Sequence, residues 1–98
     1  MIALTLFSAI FGIGLYVVLT RREIIAILAG VELMLGSANA LLVFLSSLSG
    51  ADGGVVGSVA LVVLIVAAAE ASVGLALVVT LARRGSRSTV DELGEVKG

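Results

Sequence analysis

The chain has 98 residues and a net charge of −1; 60% of its residues are hydrophobic, 13% are charged, and its mean hydropathy is +1.29. Soluble domains average roughly 45–50% apolar and about 25% charged residues, and a chain this short cannot bury such an excess of apolar surface. The sequence has no cysteine or histidine, which excludes disulfides, thiol nucleophiles and the usual metal ligands, and its six basic residues form no stripe for binding nucleic acid.

Three long apolar runs follow one another along the chain. The first occupies residues 2–20, the second residues 24–48, and the third residues 55–82. About 20 helical residues cross a ~30 Å hydrocarbon core, and the chain has no proline to interrupt a helix. We therefore predict an all-α membrane protein: a single domain over residues 1–98, with three transmembrane helices and a polar tail at residues 83–98.

The basic residues lie on one side of the predicted helices. Arg21 and Arg22 follow the first run, whereas the connection between the second and third runs carries one charge, Asp52. The other basic residues follow the third run: Arg83, Arg84, Arg87 and Lys97. Because cytoplasmic loops are enriched in Lys and Arg, we predict an N-terminus outside and a cytoplasmic C-terminus. Arginines follow the first run rather than precede it, which predicts a retained helix instead of a cleaved signal peptide.

Two carboxyl residues interrupt the apolar runs. Glu32 lies ten residues after Arg22, about 15 Å along a helix, and Glu70 lies thirteen residues before Arg83, about 20 Å. A charge at the bilayer centre costs ~2.5–3.5 kcal/mol on insertion scales, so intramembrane carboxyl groups are rare and mark ion or proton pathways. We predict that both glutamates lie near the membrane centre and transfer protons. The alternative is a protonated carboxyl group that only packs against a neighbour.

Helical spacing places further polar residues beside the first glutamate. Asn39 and Ser46 follow Glu32 at intervals of seven residues, nearly two turns, and form a polar stripe with Gly36 alongside. Such a stripe should face protein or water rather than lipid, and we predict Asn39 as a supporting polar residue. The predicted face of the second glutamate carries only apolar or small residues: Val63, Val66, Gly74 and Leu77.

A glycine follows four positions after each intramembrane glutamate and four positions after Ser8. Gly36 and Gly74 each follow a glutamate by four residues. Each glycine either opens space for water beside the carboxyl group or permits close packing of helices. Ser8 and Gly12 in the first run have the same spacing, and helix packing is a sufficient explanation for that pair.

Several segments together resemble one family. They are, in chain order, residues 14–22, residues 31–35, Asn39, residues 67–77 and residues 90–98. In their types and order they resemble subunit K of proton-translocating NADH:quinone oxidoreductase, respiratory complex I. Two departures are visible: Gly36 stands where the family commonly has asparagine, and residues 53–54 are Gly-Gly where Gly-Gln is more usual. Neither departure affects a glutamate.

The resemblance implies a membrane-arm subunit that holds no redox cofactor. Its implied partners are the other membrane-arm subunits and the lipid bilayer of a bacterial plasma (inner) membrane, which it would cross several times. The family's two intramembrane glutamates lie on a hydrated polar path between the quinone-site end of the arm and the antiporter-like subunits. Carried onto this chain, Glu32 and Glu70 become proton-transfer and coupling residues. Quinone would be a substrate of the whole complex, not clearly bound by this subunit.

Other classes of protein share some of these features. C-type subunits of multisubunit sodium/proton antiporters are similar but generally lack the second glutamate and the tail, and related ion-pumping hydrogenases use similar subunits. A rotor subunit of an ATP synthase also has a mid-membrane carboxyl group, but it is usually a two-helix hairpin with one working carboxyl. A purely structural assembly subunit is the remaining alternative, and it would tolerate glutamine at both glutamates.

Overall fold

The computed structural model describes residues 1–85, which form three long α-helices. These are α1 (Ile2–Thr20), α2 (Ile24–Ser49) and α3 (Gly53–Arg83). Each helix is long and apolar enough to cross a membrane. The prediction of an all-α chain with three membrane-length helices is therefore confirmed. Most of the predicted polar tail, residues 86–98, lies outside the described residues.

Turn-forming residues determine where α2 ends and where α3 begins. Gly50 ends α2 in a left-handed conformation (φ 72°), which favours glycine because it has no Cβ. Asp52 caps α3, since its Oδ1 accepts hydrogen bonds from the backbone N–H groups of Gly54 (2.8 Å) and Val55 (3.4 Å). This cap allows α3 to begin at Gly53, two residues before the apolar run itself.

The middle helix, α2, holds the fold together. It packs against both α1 and α3, whereas α1 and α3 make at most marginal contact with each other. The α1–α2 contact is closest at Gly14 and Gly30, which are both buried. A Cβ added to Gly14 would lie 2.6 Å from the carbonyl oxygen of Gly30, and one added to Gly30 would lie 2.8 Å from that of Gly14. The two backbones therefore touch only because neither residue has a side chain.

The pair of small residues predicted to pack in α1 is not at this contact. Gly12 is exposed, and a Cβ added there would meet no atom within 4 Å. Ser8 instead lines a cavity of about 300 Å³ between α1 and α2, together with Phe7 and Ser37. Gly12 therefore takes no part in the contact between α1 and α2, and its packing against another helix stays a prediction.

The helices bury no large side chain among themselves. Within residues 1–85, the buried residues are all small or polar: Gly14, Gly30, Ser37, Asn39 and Ala60. Large apolar side chains are exposed along all three helices, for example Leu15 (40% exposed) and Leu64 (55%). An apolar surface this extensive is suited to lipid or to other transmembrane helices.

Candidate functional site

Two contacts establish how α2 and α3 lie against each other. Leu28 packs on Gly74, where an added Cβ would lie only 2.8 Å from Leu28 Cδ2. Further along α2, Asn39 Nδ2 donates a hydrogen bond of 3.2 Å to the backbone carbonyl of Ala60. The two helices run in opposite directions, so these contacts place Glu32 level with about residue 69 of α3. The two glutamates therefore lie at the same level on neighbouring helices.

Glu32 lines a cavity of about 220 Å³ between α2 and α3, which we call the Glu32 cavity. Its other lining residues are mostly apolar or small: Leu35, Gly36, Asn39, Val63, Leu64 and Ala67. The Oε1 atom of Glu32 is buried and has no hydrogen-bond partner among the described residues. A buried carboxyl oxygen without a donor carries an uncompensated desolvation cost, so this site requires a donor such as water.

The polar stripe predicted on α2 is only partly assembled at this cavity. Asn39 is 9% exposed and lines the Glu32 cavity, where its Oδ1, like Oε1 of Glu32, is buried and has no partner among the described residues. Ser46 does not line the cavity, and its hydroxyl donates to the backbone carbonyl of Val43 at 2.7 Å. The structure thus brings together Glu32 and Asn39 and leaves out Ser46.

Glu70 lies outside this cavity, on an exposed part of α3. It lines a groove of about 500 Å³ whose other residues are apolar or small: Val66, Ala69, Val73, Gly74 and Leu77. Val63 lies with Ala67 in the wall of the Glu32 cavity. Val63 and Glu70 are seven residues apart, nearly two turns, so they share one side of α3, where Val63 lines the cavity and Glu70 lines the groove beside it.

The glycines that follow the two glutamates have different surroundings. An added Cβ at Gly36 would meet no atom within 4 Å, and Gly36 lines the Glu32 cavity, so it leaves open space beside the carboxyl group. The space beside Gly74 is occupied by the side chain of Leu28, so this glycine allows α2 and α3 to pack closely. Gly36 therefore fits the explanation that the glycine opens space beside the carboxyl group, and Gly74 fits the explanation that it permits close packing of helices.

The arrangement offers acid–base chemistry within two neighbouring helices of membrane length. Two carboxyl groups lie at one level, one in a cavity that can hold water and one in an open groove. Positioned carboxyl groups can accept and release protons when water or another group is within reach. Sequence reasoning had missed the carbonyl of Ala60, because no side-chain pattern indicates which backbone oxygen of a helix a neighbouring asparagine will contact.

Known proteins related to this chain belong to one family. The family model described as NADH-ubiquinone/plastoquinone oxidoreductase chain 4L matches residues 2–98, which include all three helices. The chain is 44% identical over 91 residues to NADH-quinone oxidoreductase subunit 11 of Thermus thermophilus, with 93% of each chain covered. It is 44% identical over 96 residues to NADH-quinone oxidoreductase subunit K of Bacillus cereus, with 97% of this chain and 91% of the relative covered. It is also 46% identical over 91 residues to subunit K of Anaeromyxobacter dehalogenans, with coverages of 92% and 89%.

Proposed function

We propose that this chain, which belongs to the NADH-ubiquinone/plastoquinone oxidoreductase chain 4L family, is a membrane-arm subunit of a proton-pumping NADH:quinone oxidoreductase. The match to the family over residues 2–98 is the observation that carries this proposal. The family to which the sequence resemblance pointed is thereby confirmed. A rotor subunit of an ATP synthase is not supported, because the chain has three membrane-length helices and matches a different family.

Within this subunit, Glu32 and Glu70 transfer protons and Asn39 supports Glu32. Three observations favour these roles: the two glutamates lie at one level, Glu32 lines a cavity with room for water, and Asn39 lines that same cavity. Carboxyl groups at membrane depth are expensive and are kept where a function requires them. The sequence has no cysteine or histidine, the usual ligands of iron–sulfur clusters and haem. We therefore propose that the subunit holds no redox cofactor and that NADH and quinone react elsewhere in the complex.

The partners of the subunit are other membrane-arm subunits and lipid. The groove around Glu70 is exposed and mostly apolar, and a carboxyl group facing hydrocarbon is costly, so we expect a partner helix to cover it. We expect an affinity tag on this chain to co-purify NADH:quinone oxidoreductase activity from membranes. The same chain expressed alone should aggregate or unfold in mild detergent, because its helices bury almost nothing among themselves.

The tagged complex and the chain expressed alone are compared by size-exclusion chromatography and by an assay of NADH-dependent quinone reduction. A stable monodisperse monomer together with no co-purified activity would show that the chain is not a dependent subunit of this complex.

We further propose that the N-terminus lies outside a bacterial plasma membrane and that the chain after α3 is cytoplasmic. Four basic residues lie at the same end of the three helices: Arg21, Arg22, Arg83 and Arg84. At the opposite end, Asp52 between α2 and α3 is the only charged side chain among the described residues. Positive residues are retained on the cytoplasmic side of membranes.

Single cysteines are expected to label from opposite sides of the membrane. The natural chain has no cysteine, so Ser49→Cys at the end of α2 and Ser88→Cys, which lies outside the described residues, each introduce one thiol. In intact cells, a membrane-impermeant thiol reagent should modify the cysteine at position 49 and reach the one at position 88 only after permeabilisation. The reverse pattern would mean that the orientation is inverted.

A further inference from the structure

We infer that Asn39 is a positioning residue for Glu32: the Nδ2 end of its amide holds α3 against α2, and this contact presents the Oδ1 end to the Glu32 cavity. Asn39 is 9% exposed and lines the cavity, its Nδ2 donates to the carbonyl oxygen of Ala60 at 3.2 Å, and its Oδ1 is buried without a hydrogen-bond partner among the described residues. Its role in proton transfer rests on the function proposed above, whereas the contact between the helices does not.

The contact with Ala60 determines the orientation of the amide. A backbone carbonyl oxygen can only accept hydrogen bonds, and its second lone pair remains available when the first accepts the bond within the helix. The NH₂ group of Asn39 must therefore face Ala60, and the oxygen must face the other way. A rotation that exchanged the two ends would place two acceptors against each other and break the bond between the helices.

The orientation of the amide determines what Glu32 meets across the cavity. Oδ1 of Asn39 is an acceptor, and Oε1 of Glu32 is one when the carboxyl group is ionised; both atoms are buried and have no partner among the described residues. A water molecule can donate to either oxygen once the side chains move to admit it. The cavity of about 220 Å³ exceeds the ~30 Å³ that a water molecule occupies in the liquid. The two residues are seven positions apart, about 10 Å along α2, so a hydrogen-bonded link between their side chains requires more than one water molecule. In this proposal Asn39 anchors the far end of that link.

No other charged group among the described residues lines the Glu32 cavity. Its remaining walls are apolar or small side chains from α2 and α3. Residues 2–20 of α1 carry no charge, and Glu70, the one charged residue within the α3 span before Arg83, lines a different groove. An effect of Asn39 on Glu32 therefore has to act through the amide and water.

Asn39→Asp is the sharpest test, because a protonated carboxyl group, like an amide, has a donor at one end and an acceptor at the other. Its O–H can donate to the carbonyl of Ala60 and its C=O can accept in the cavity, but on ionisation it can no longer donate. Coupled turnover of the assembled complex should stay within about twofold of the parent at acidic pH and fall about tenfold as the pH rises. Asn39→Leu, which lacks both functions, should be impaired by a similar factor at every pH.

Ser37→Ala is the matched control. Ser37 is also a buried polar residue of α2, but its hydroxyl donates to Met34 of its own helix and lies on the side of α1. It should behave like the parent at every pH. If the parent and Asn39→Asp have the same pH profile, or if Asn39→Leu is fully active, Asn39 does not position Glu32.

A direct measurement on the unmodified complex covers the case in which the variants fail to assemble. Electron cryomicroscopy at a resolution that shows waters should place Nδ2 of Asn39 on the carbonyl of Ala60 and water between Oδ1 and Glu32. An amide that donates elsewhere, or an apolar group filling the cavity, would overturn the inference. Loss of the proposed function would look different: Glu32→Gln would pump normally while the contact between Asn39 and Ala60 remained visible.

Discussion

Glu32→Gln is expected to reduce coupled quinone reduction by about 10²-fold or more while leaving the amount of assembled complex unchanged. Glutamine keeps the size and the hydrogen-bonding oxygen of glutamate but cannot exchange a proton. The effect should be large because Glu32 lines the cavity between α2 and α3 that it shares with Asn39, where no second carboxyl group can replace it among the described residues.

Glu70→Gln should be less severe, and the double substitution should be the most severe. Glu70 lies in an open groove at the surface of the subunit, so water or a partner subunit can offer protons another route there. Aspartate at either position should retain part of the activity, because the carboxyl group is displaced by only about one methylene. This order of effects, with Glu32 first, is expected only if the Glu32 cavity is part of the main proton route.

The measurement is quinone reduction alongside proton uptake in membranes, normalised to the amount of assembled complex. Glu23→Gln is the matched control, since Glu23 is an exposed carboxyl residue at the start of α2, outside the membrane-length segment. It should leave both rates unchanged. The variant with both Glu32→Gln and Glu70→Gln could instead assemble and pump protons at the parental rate and at the parental ratio of protons to reduced quinone. In that case the chain is a purely structural subunit.

Gly14→Ala and Gly30→Ala are expected to cause the largest loss of assembled complex of any single-methyl change in the α1–α2 pair. An added Cβ would lie 2.6 Å from a backbone oxygen at Gly14 and 2.8 Å from one at Gly30. Backbone atoms cannot rotate away as a flexible side chain can, so the helices must separate. Overpacking of this kind costs about 1–3 kcal/mol, and leucine at either position should abolish assembly.

Gly12→Ala separates this effect from that of helix propensity. In a helix, alanine is favoured over glycine by roughly 0.5–1 kcal/mol, and an added Cβ at Gly12 would meet no atom within 4 Å. This variant should therefore assemble as well as the parent or better. Native gel electrophoresis of solubilised membranes, with activity staining, measures the assembled complex. Equal assembly of the variants at positions 12, 14 and 30 would show that the two glycines do not form the contact between α1 and α2.

The sequence alone was sufficient for the number of helices, their class and the level of the glutamates. These properties depend on the length of each apolar run and on the constant rise of a helix, which do not require knowledge of neighbours. The position of the connection between α2 and α3 was also predicted, but not the cap at Asp52, which starts α3 at Gly53 instead of at residue 55. The sequence also showed that the charged residues inside the apolar runs are Glu32 and Glu70.

Only the tertiary structure decided which face of each helix meets another helix. In these helices nearly every side is apolar, and lipid is as apolar as a leucine side chain, so hydrophobic periodicity does not distinguish a buried face from a lipid-facing one. The choice of Gly14 rather than Gly12 for the contact with α2 follows from steric fit between backbones. The bond from Asn39 to Ala60 is likewise set by the register of two helices, which no single segment contains.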